Sequence, residues 1–231
     1  LLMGGASNAI NMTLFRKSPY DTLKDFSPIV LCTVGANLLS VHPSIPVKNL
    51  RELIALAKAR PGQLNFASSG IGSSNHMAGE LFKLMAGINI THVPYKGNNP
   101  ALADLVGGHV EMGFAGTTAQ VPLMKAGNIR GIALSSKERF PAIPEIPTFH
   151  ESGVPGYESS TFFGLMAPSG TSPDIIRKVN ADVAKVLGRA DIKERLANDG
   201  QIPGGGPSEQ FAQFIRDEVA KYAKLIKAAK V

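Results

Sequence analysis

About four times in succession the chain passes from a short apolar run, through a loop of small polar residues, into a helical stretch. The apolar runs are 64–67, 90–93, 110–114 and 129–134. Strand and helix alternating at this spacing predict an α/β fold, with a mostly parallel sheet covered by helices. Sheets of this kind hold ligands outside the C-terminal ends of their strands. In this chain those ends read "SSGIGSSN", "PYKGNNP" and "AGTTAQ".

The flanking elements follow from periodicity and punctuation. "KNLRELIALAKAR" is a helix with Asn49 as N-cap, Glu52 completing a capping box, and Leu50, Leu53, Ile54 and Ala57 as one apolar stripe. Pro61 and Gly62 end it. A second helix is predicted from Ser73 or Ser74, with Met77, Leu81, Leu84 and Met85 facing inward and Gly87 as the stop. Two short strands are expected at 29–34 and 38–41. From Pro141, "PAIPEIPTFHESGVPGYESS" has no helical period and reads as a long surface connection or a crossing between lobes. A strand at 162–167 follows, then a helix capped by Ser172 with Pro173 at its first position, and a short helix at 192–197. A last helix after "GGGPSE" turns Phe211, Phe214, Ile215, Val219, Tyr222 and Ile226 inward. Its outer face carries Arg216, Asp217, Glu218, Lys221 and Lys224.

Composition excludes some functions. With 24 Lys and Arg against 18 Asp and Glu, the formal charge is +6, but the cations are dispersed, Trp is absent and Tyr occurs four times. Nucleic-acid binding needs clustered cations and stacking rings, so it is not expected. Cys32 is the lone cysteine, which allows no internal disulfide and reads as a small buried hydrophobe. No uncharged apolar run of 18 residues exists, so a soluble chain is expected. "LLMGGASNAINMTLF" starts in what reads as mid-domain; the expectation is that an N-terminal portion, with any export signal, is lacking.

The loop at 68–75 has two readings. Its small residues let a ligand approach the backbone, and a helix N-terminus brings unpaired N–H groups and a positive dipole end. Together these make an anion site without a charged side chain. Ser68, Ser69, Ser73 and Ser74 add hydroxyls, and Gly70 and Gly72 allow a tight turn. It is equally a capped helix with a flexible entry. Dinucleotide and Walker patterns both fail here, because Asn75 replaces the third glycine and no Lys follows a glycine at the helix start. "THVPYKGNNP" offers Tyr95, Lys96 and more backbone donors before another helix. The loops at 4–8 and 116–118 have the same character. A catalytic search is negative. His42, His76, His92, His109 and His150 are scattered, there is no G-x-S-x-G elbow or H-E-x-x-H, and no carboxylates pair near the loops. A proton relay from His76 to a serine is conceivable. No catalytic residue, metal or cofactor is assigned, and the chain is not expected to be an enzyme. An α/β enzyme acting on a small anionic metabolite stays open as the alternative, as does a sensory or degenerate binding module.

The stretches "SPYDTLKDFSPI", "NLRELIALAKARPGQLNFASSGIGSSNHMAGELFKLMAG", "HVPYKGNNPALADLVGGHVEMGF", "PEIPTFHESGVPGYESSTFFGLMAPSGT" and "FAQFIRDEVAKYAKLIKAA" resemble, almost end to end, the Bug or TctC-type receptors of tripartite tricarboxylate transporters. The resemblance implies a two-lobed, type II periplasmic-binding-protein fold with mixed sheets, helices and a hinge. Lobe one would be 1–36 plus 161–231, and lobe two 37–160. It implies a monomeric periplasmic receptor, exported by a signal peptide in its precursor. Such a receptor binds a small carboxylate in an interlobe cleft and delivers it to membrane permease subunits, or signals to a sensor kinase. Ligand contacts carried over by the resemblance are Ser69, Gly70, Ser73, Ser74, His76, Tyr95 and Lys96, with Gly5, Ala6, Ser7 and Asn8 from lobe one and Phe162 and Phe163 at the cleft mouth. The sequence departs from the family at Ala115, where many relatives carry Asp. That favours a plain di- or tricarboxylate, or an aromatic acid, over an amino acid.

Overall fold

The computed structural model describes residues 1–231. The chain forms two compact units, Leu1–Gly35 with Thr161–Val231, and Ala36–Ser160.

The second unit is built on a mixed sheet of β2 (Phe26–Val41), β3 (Asn65–Ser68), β4 (Thr91–Pro94), β5 (Met112–Gly116) and β6 (Arg130–Leu134). Strand β2 enters from the first unit and lies between β5 and β6, antiparallel to both. β3 is parallel to β5 on one side and to β4 on the other. Four of the five strands run in one direction, as expected, and β2 departs from this by running antiparallel between β5 and β6. The two short strands expected at 29–34 and 38–41 are one continuous strand. Gly35 and Ala36 do not interrupt it, because the chain pairs with one set of partners before them and another after.

Helices α2 (Leu50–Ala59) and α3 (Ser74–Ala86) pack on the core made by Leu39, Phe66, Phe114 and their neighbours. α2 forms as its signals dictate: Asn49 Oδ1 accepts the Glu52 amide at 3.0 Å. The Glu52 carboxylate takes the Lys48 amide and the Asn49 side chain. α3 ends at Gly87, whose φ of 61° is open to glycine without strain. Its inward face differs from the expectation. Met77 is buried, but Leu84 and Met85 are exposed, and Asn75, His76, Gly79 and Glu80 are buried instead. Gly79 explains part of this, since a Cβ there would overlap the Phe66 ring, so α3 lies closer to β3 than a larger residue permits.

On the sheet's other face, α4 (Asn98–Val106) and α5 (Thr117–Lys125) cover a second core around Ala67, Leu105 and Ala115. The connection at 135–159 has no regular element, yet it is no surface strap. Phe149 and Tyr157 are fully buried and stack at 3.9 Å, and the Tyr157 hydroxyl donates to Ala78 O at 2.8 Å.

In the first unit, β1 (Leu2–Gly5) pairs antiparallel with β7 (Ser160–Pro168), and β2 pairs antiparallel with β8 (Gln201–Gly205). β8 was not expected. Its Pro and Gly argue against a strand interior, and an edge position tolerates both. Around these lie α1 (Ala6–Leu14), α6 (Pro173–Gly188), α7 (Ala190–Asn198) and α8 (Ser208–Ala229). In α8, Glu218 is buried rather than exposed, held by Lys221 one turn on.

Candidate functional site

Because β3, β4 and β5 are mutually parallel, the loops that follow them leave the sheet at one edge, and each leads into a helix N-terminus. The β3–α3 and β4–α4 loops are bound together. Tyr95 N donates to Ser68 O and Gly97 N to Ser69 O, both at 3.1 Å. Gly70 sits at a φ of 129°, and a Cβ would come within 3.0 Å of Tyr95 O. Glycine is required there both for the backbone angle and for the approach of the second loop.

The serines divide their work. Ser73 caps α3: its Oγ accepts the His76 amide at 3.2 Å and donates to Gly70 O at 2.7 Å. Ser74 donates to Asn75 Oδ1. The first backbone bond of the helix runs from Met77 N to Ser73 O, so the amides of Ser74 and Asn75 precede the helical ladder. Ser69 Oγ accepts from Asn75 Nδ2 at 3.1 Å, which leaves its own proton to donate. Ser68 is fully buried beneath the loop and meets His92 Nε2 at 2.7 Å.

Asn75 is the residue that sequence reasoning passed over. Nearly buried, it reaches Ser69 with one donor contact and Asn98 Oδ1, at the first position of α4, with another at 2.7 Å. It thereby ties the starts of α3 and α4 together. The only signal in the sequence is its place where a third glycine fails to appear.

His76 lies under the same loop, 3% exposed, and accepts the Gly72 amide at Nδ1. It stacks on His92 at 4.1 Å, and His92 stacks on Phe66 at 4.8 Å. Burial, with Lys83 nearby, pushes His76 down to about 4. Burial, His76 and Lys83 push His92 down to about 3. Both rings are therefore neutral at pH 7. The 3.9 Å approach of His76 Nε2 to Glu80 is then no ion pair, and Glu80 is held by Lys83 at 2.8 Å instead. Ser68 and His92 form a hydroxyl–imidazole pair, but the hydroxyl is sealed from solvent and the ring is a feeble base, which suits packing rather than nucleophilic catalysis.

Tyr95 donates its hydroxyl to Asp104 Oδ2 at 2.6 Å, and burial plus that carboxylate push the phenol up to about 12. Lys96 is exposed. Ala115 is buried in the core under α4, its carbonyl accepting from Gln120 Nε2 at 3.0 Å. In the first unit, Gly5 and Ala6 open α1, Ser7 is exposed, and Asn8 Oδ1 takes the Gly5 amide at 2.9 Å. Phe162 is 2% exposed and packs edge-on against Phe211 and Phe214, whereas Phe163 stands 48% exposed.

The helices differ in how they begin. α1, α3, α4 and α5, the four that follow the small-residue loops, have no acidic residue in the first turn. The other four each have one: Glu52 in α2, Asp174 in α6, Asp191 in α7 and Glu209 in α8. A carboxylate in the first turn neutralises the dipole's positive end, so only the first group leaves that end available to an outside anion.

The family described as "Tripartite tricarboxylate transporter family receptor" (TctC) matches residues 1–231. The chain belongs to this receptor family. Protein BugT of Bordetella pertussis is 34% identical over 227 residues, a match covering 98% of this chain and 70% of BugT. Among solved structures, R. palustris Rpa4515 with adipate superposes at a TM-score of 0.94 with 38% identity, covering 99% of this chain and 77% of that one. MatC from Rhodopseudomonas palustris with bound malate superposes at 0.89 with 29% identity, covering 97% and 78%. The expected α/β periplasmic-receptor fold of the TctC type is thus the observed one. No helix of the chain is long and apolar enough to cross a membrane.

Proposed function

We propose that this TctC-family protein is a periplasmic receptor that binds a small carboxylate and delivers it to the membrane permease subunits of a tripartite transporter. Its chief support is the contrast in helix starts: the four helices after the small-residue loops carry no first-turn acid, and the other four do. A carboxylate held there meets backbone amides of α3 and α4 and the Ser69 hydroxyl, charge-assisted donors that suit an anion with no cationic side chain. Gly5, Ala6, Ser7 and Asn8 at the start of α1 give the first unit a helix start of the same kind. The ligands named for Rpa4515 and MatC, adipate and malate, support a carboxylate as the class. The two units are assigned as the receptor's two lobes, with Tyr95, Gly70, Ser73, Ser74 and His76 shaping the second lobe's loops and Lys96 adding long-range attraction. Phe163, rather than the buried Phe162, offers an apolar surface to a ligand.

Isothermal titration of the protein with adipate, malate, succinate, citrate and benzoate tests this, with phosphate and chloride as controls. Saturable binding of one acid with no heat from the controls is the expected result. Equal binding of phosphate, or no binding of any carboxylate, overturns the proposal.

A further inference from the structure

Asn37 is fully buried, and both atoms of its carboxamide, Nδ2 and Oδ1, lack a hydrogen-bond partner. Burying one such group without a partner is costly, and burying both ends of an amide is more so. Its backbone is fully engaged: the amide donates to Ser135 Oγ at 2.8 Å and the carbonyl accepts from Ser135 N at 2.9 Å. Only the side chain is left over.

Strand alternation shows where that side chain projects. Ala36 and Leu38 belong to the cluster with Leu134 and Phe140. Leu39 and Val41 belong to the core under α2 and α3. Asn37 shares the parity of the second pair, so it projects on the face where α3 packs. In the ladder it lies opposite Gly116, the cap residue just before α5, at the edge of the sheet where the β3–α3 loop emerges. β2 is separated from β3 by β5 alone, so Asn37 lies about 10 Å across the sheet from the start of the β3–α3 loop at Ser69. A short-chain acid with a hydrogen bond at each end covers that span. Ser159, whose buried Oγ is also unpartnered, is tied through its carbonyl to the same Ser135 hydroxyl.

We infer that Asn37, assisted by Ser159, reads an uncharged polar group on the ligand, and that the receptor therefore prefers hydroxylated carboxylates to their plain counterparts. This rests on the carboxylate-receptor function proposed above. A carboxamide has a donor and an acceptor. A second carboxylate satisfies the donor and opposes the acceptor, an ammonium does the reverse, and a hydroxyl serves both. A site built to hydrogen-bond a hydroxyl rejects the analogue that lacks it, because its own buried groups are then left unpaired.

The test is isothermal titration with matched pairs: malate and succinate, 2-hydroxyglutarate and glutarate, 2-hydroxyadipate and adipate. The parent protein is expected to bind one hydroxylated member at least about tenfold tighter than its partner. Asn37→Leu is expected to bring that ratio near one while the plain acid's affinity stays within about threefold. Asn37→Ala, which removes both the donor and the acceptor, gives the same collapse and replaces the Leu variant if that does not melt cooperatively. A ratio near one in the parent, or a ratio preserved in both variants, overturns the inference and leaves the receptor function standing. Binding of none of the six acids overturns both.

Discussion

Helices α2 and α3 share one core, and both are capped by a polar side chain, Asn49 and Ser73. They begin in opposite electrical states. α2 closes its own end, because Glu52 sits in the first turn and takes up the Lys48 amide and the Asn49 side chain. α3 has no acid in its first turn and starts from a loop of Ser and Gly that leaves the Ser74 and Asn75 amides ahead of the helical ladder. The difference separates a helix end closed by its own side chains from one that, under the proposed function, is kept for a ligand. Stability asks for a neutralised dipole, and anion binding asks for the reverse.

The largest effect should come from making α3 resemble α2. Ser74→Asp places a carboxylate in the first turn and is expected to weaken carboxylate binding by about a hundredfold, with thermal stability unchanged or slightly raised. Titration calorimetry beside a melting curve reads both, and unaltered affinity would break the comparison.

Next is acid sensitivity, which the histidine stack beneath α3 confers. Unfolded imidazoles take up protons near 6.5, but folded His76 and His92 do so only near 4 and 3. Between those values the unfolded chain binds more protons, so stability is fully present above pH 6.5 and is lost as the pH falls. Between pH 7 and pH 5 the loss should be about 2 kcal/mol for each ring held fully neutral, measured by urea unfolding. A flat profile over this window, or an unchanged slope in His92→Phe, would show that the rings are not held neutral.

Asn75→Ala removes the tie between the α3 and α4 starts. It is expected to cost about 1–2 kcal/mol in unfolding free energy and to weaken ligand binding roughly tenfold, because the two helix ends no longer share one orientation. A stability loss with intact affinity would reduce Asn75 to a packing role. The smallest effect sharpens the other side of the comparison. Asn49→Ala should cost about 1 kcal/mol and leave affinity untouched, since the α2 cap serves α2 alone.

Most of α2 was legible from the amino acids: cap, acid, apolar stripe and the Pro61–Gly62 stop are all local signals. The donor-rich loops were legible for the same reason, since Ser, Gly and Asn before a helix advertise unpaired amides. The inward face of α3 was not. Apolar spacing pointed to Met77, Leu81, Leu84 and Met85; Met77 is buried and Leu81 packs on the core, yet Gly79 draws the helix onto Phe66, turns Asn75, His76 and Glu80 inward and leaves Leu84 and Met85 exposed. The role of Phe162 was hidden too, because only the pairing of β7 decides that it faces Phe211 while Phe163 faces solvent.

By itself the sequence determined the α/β class, the order of the elements, and the placing of small polar residues where strands give way to helices. These depend on periodicity, turn chemistry and capping, which act within a few residues. It also carried the family resemblance. Tertiary structure alone decided that β2 is one strand running antiparallel between β5 and β6, and that Asn75 joins two helix starts. It alone decided that His76 and His92 stack in a dry layer and that Asn37 is buried with its carboxamide unpaired. Each of these depends on partners more than fifteen residues away in the chain or on the burial they create, and desolvation is a property of the packed molecule rather than of any short stretch.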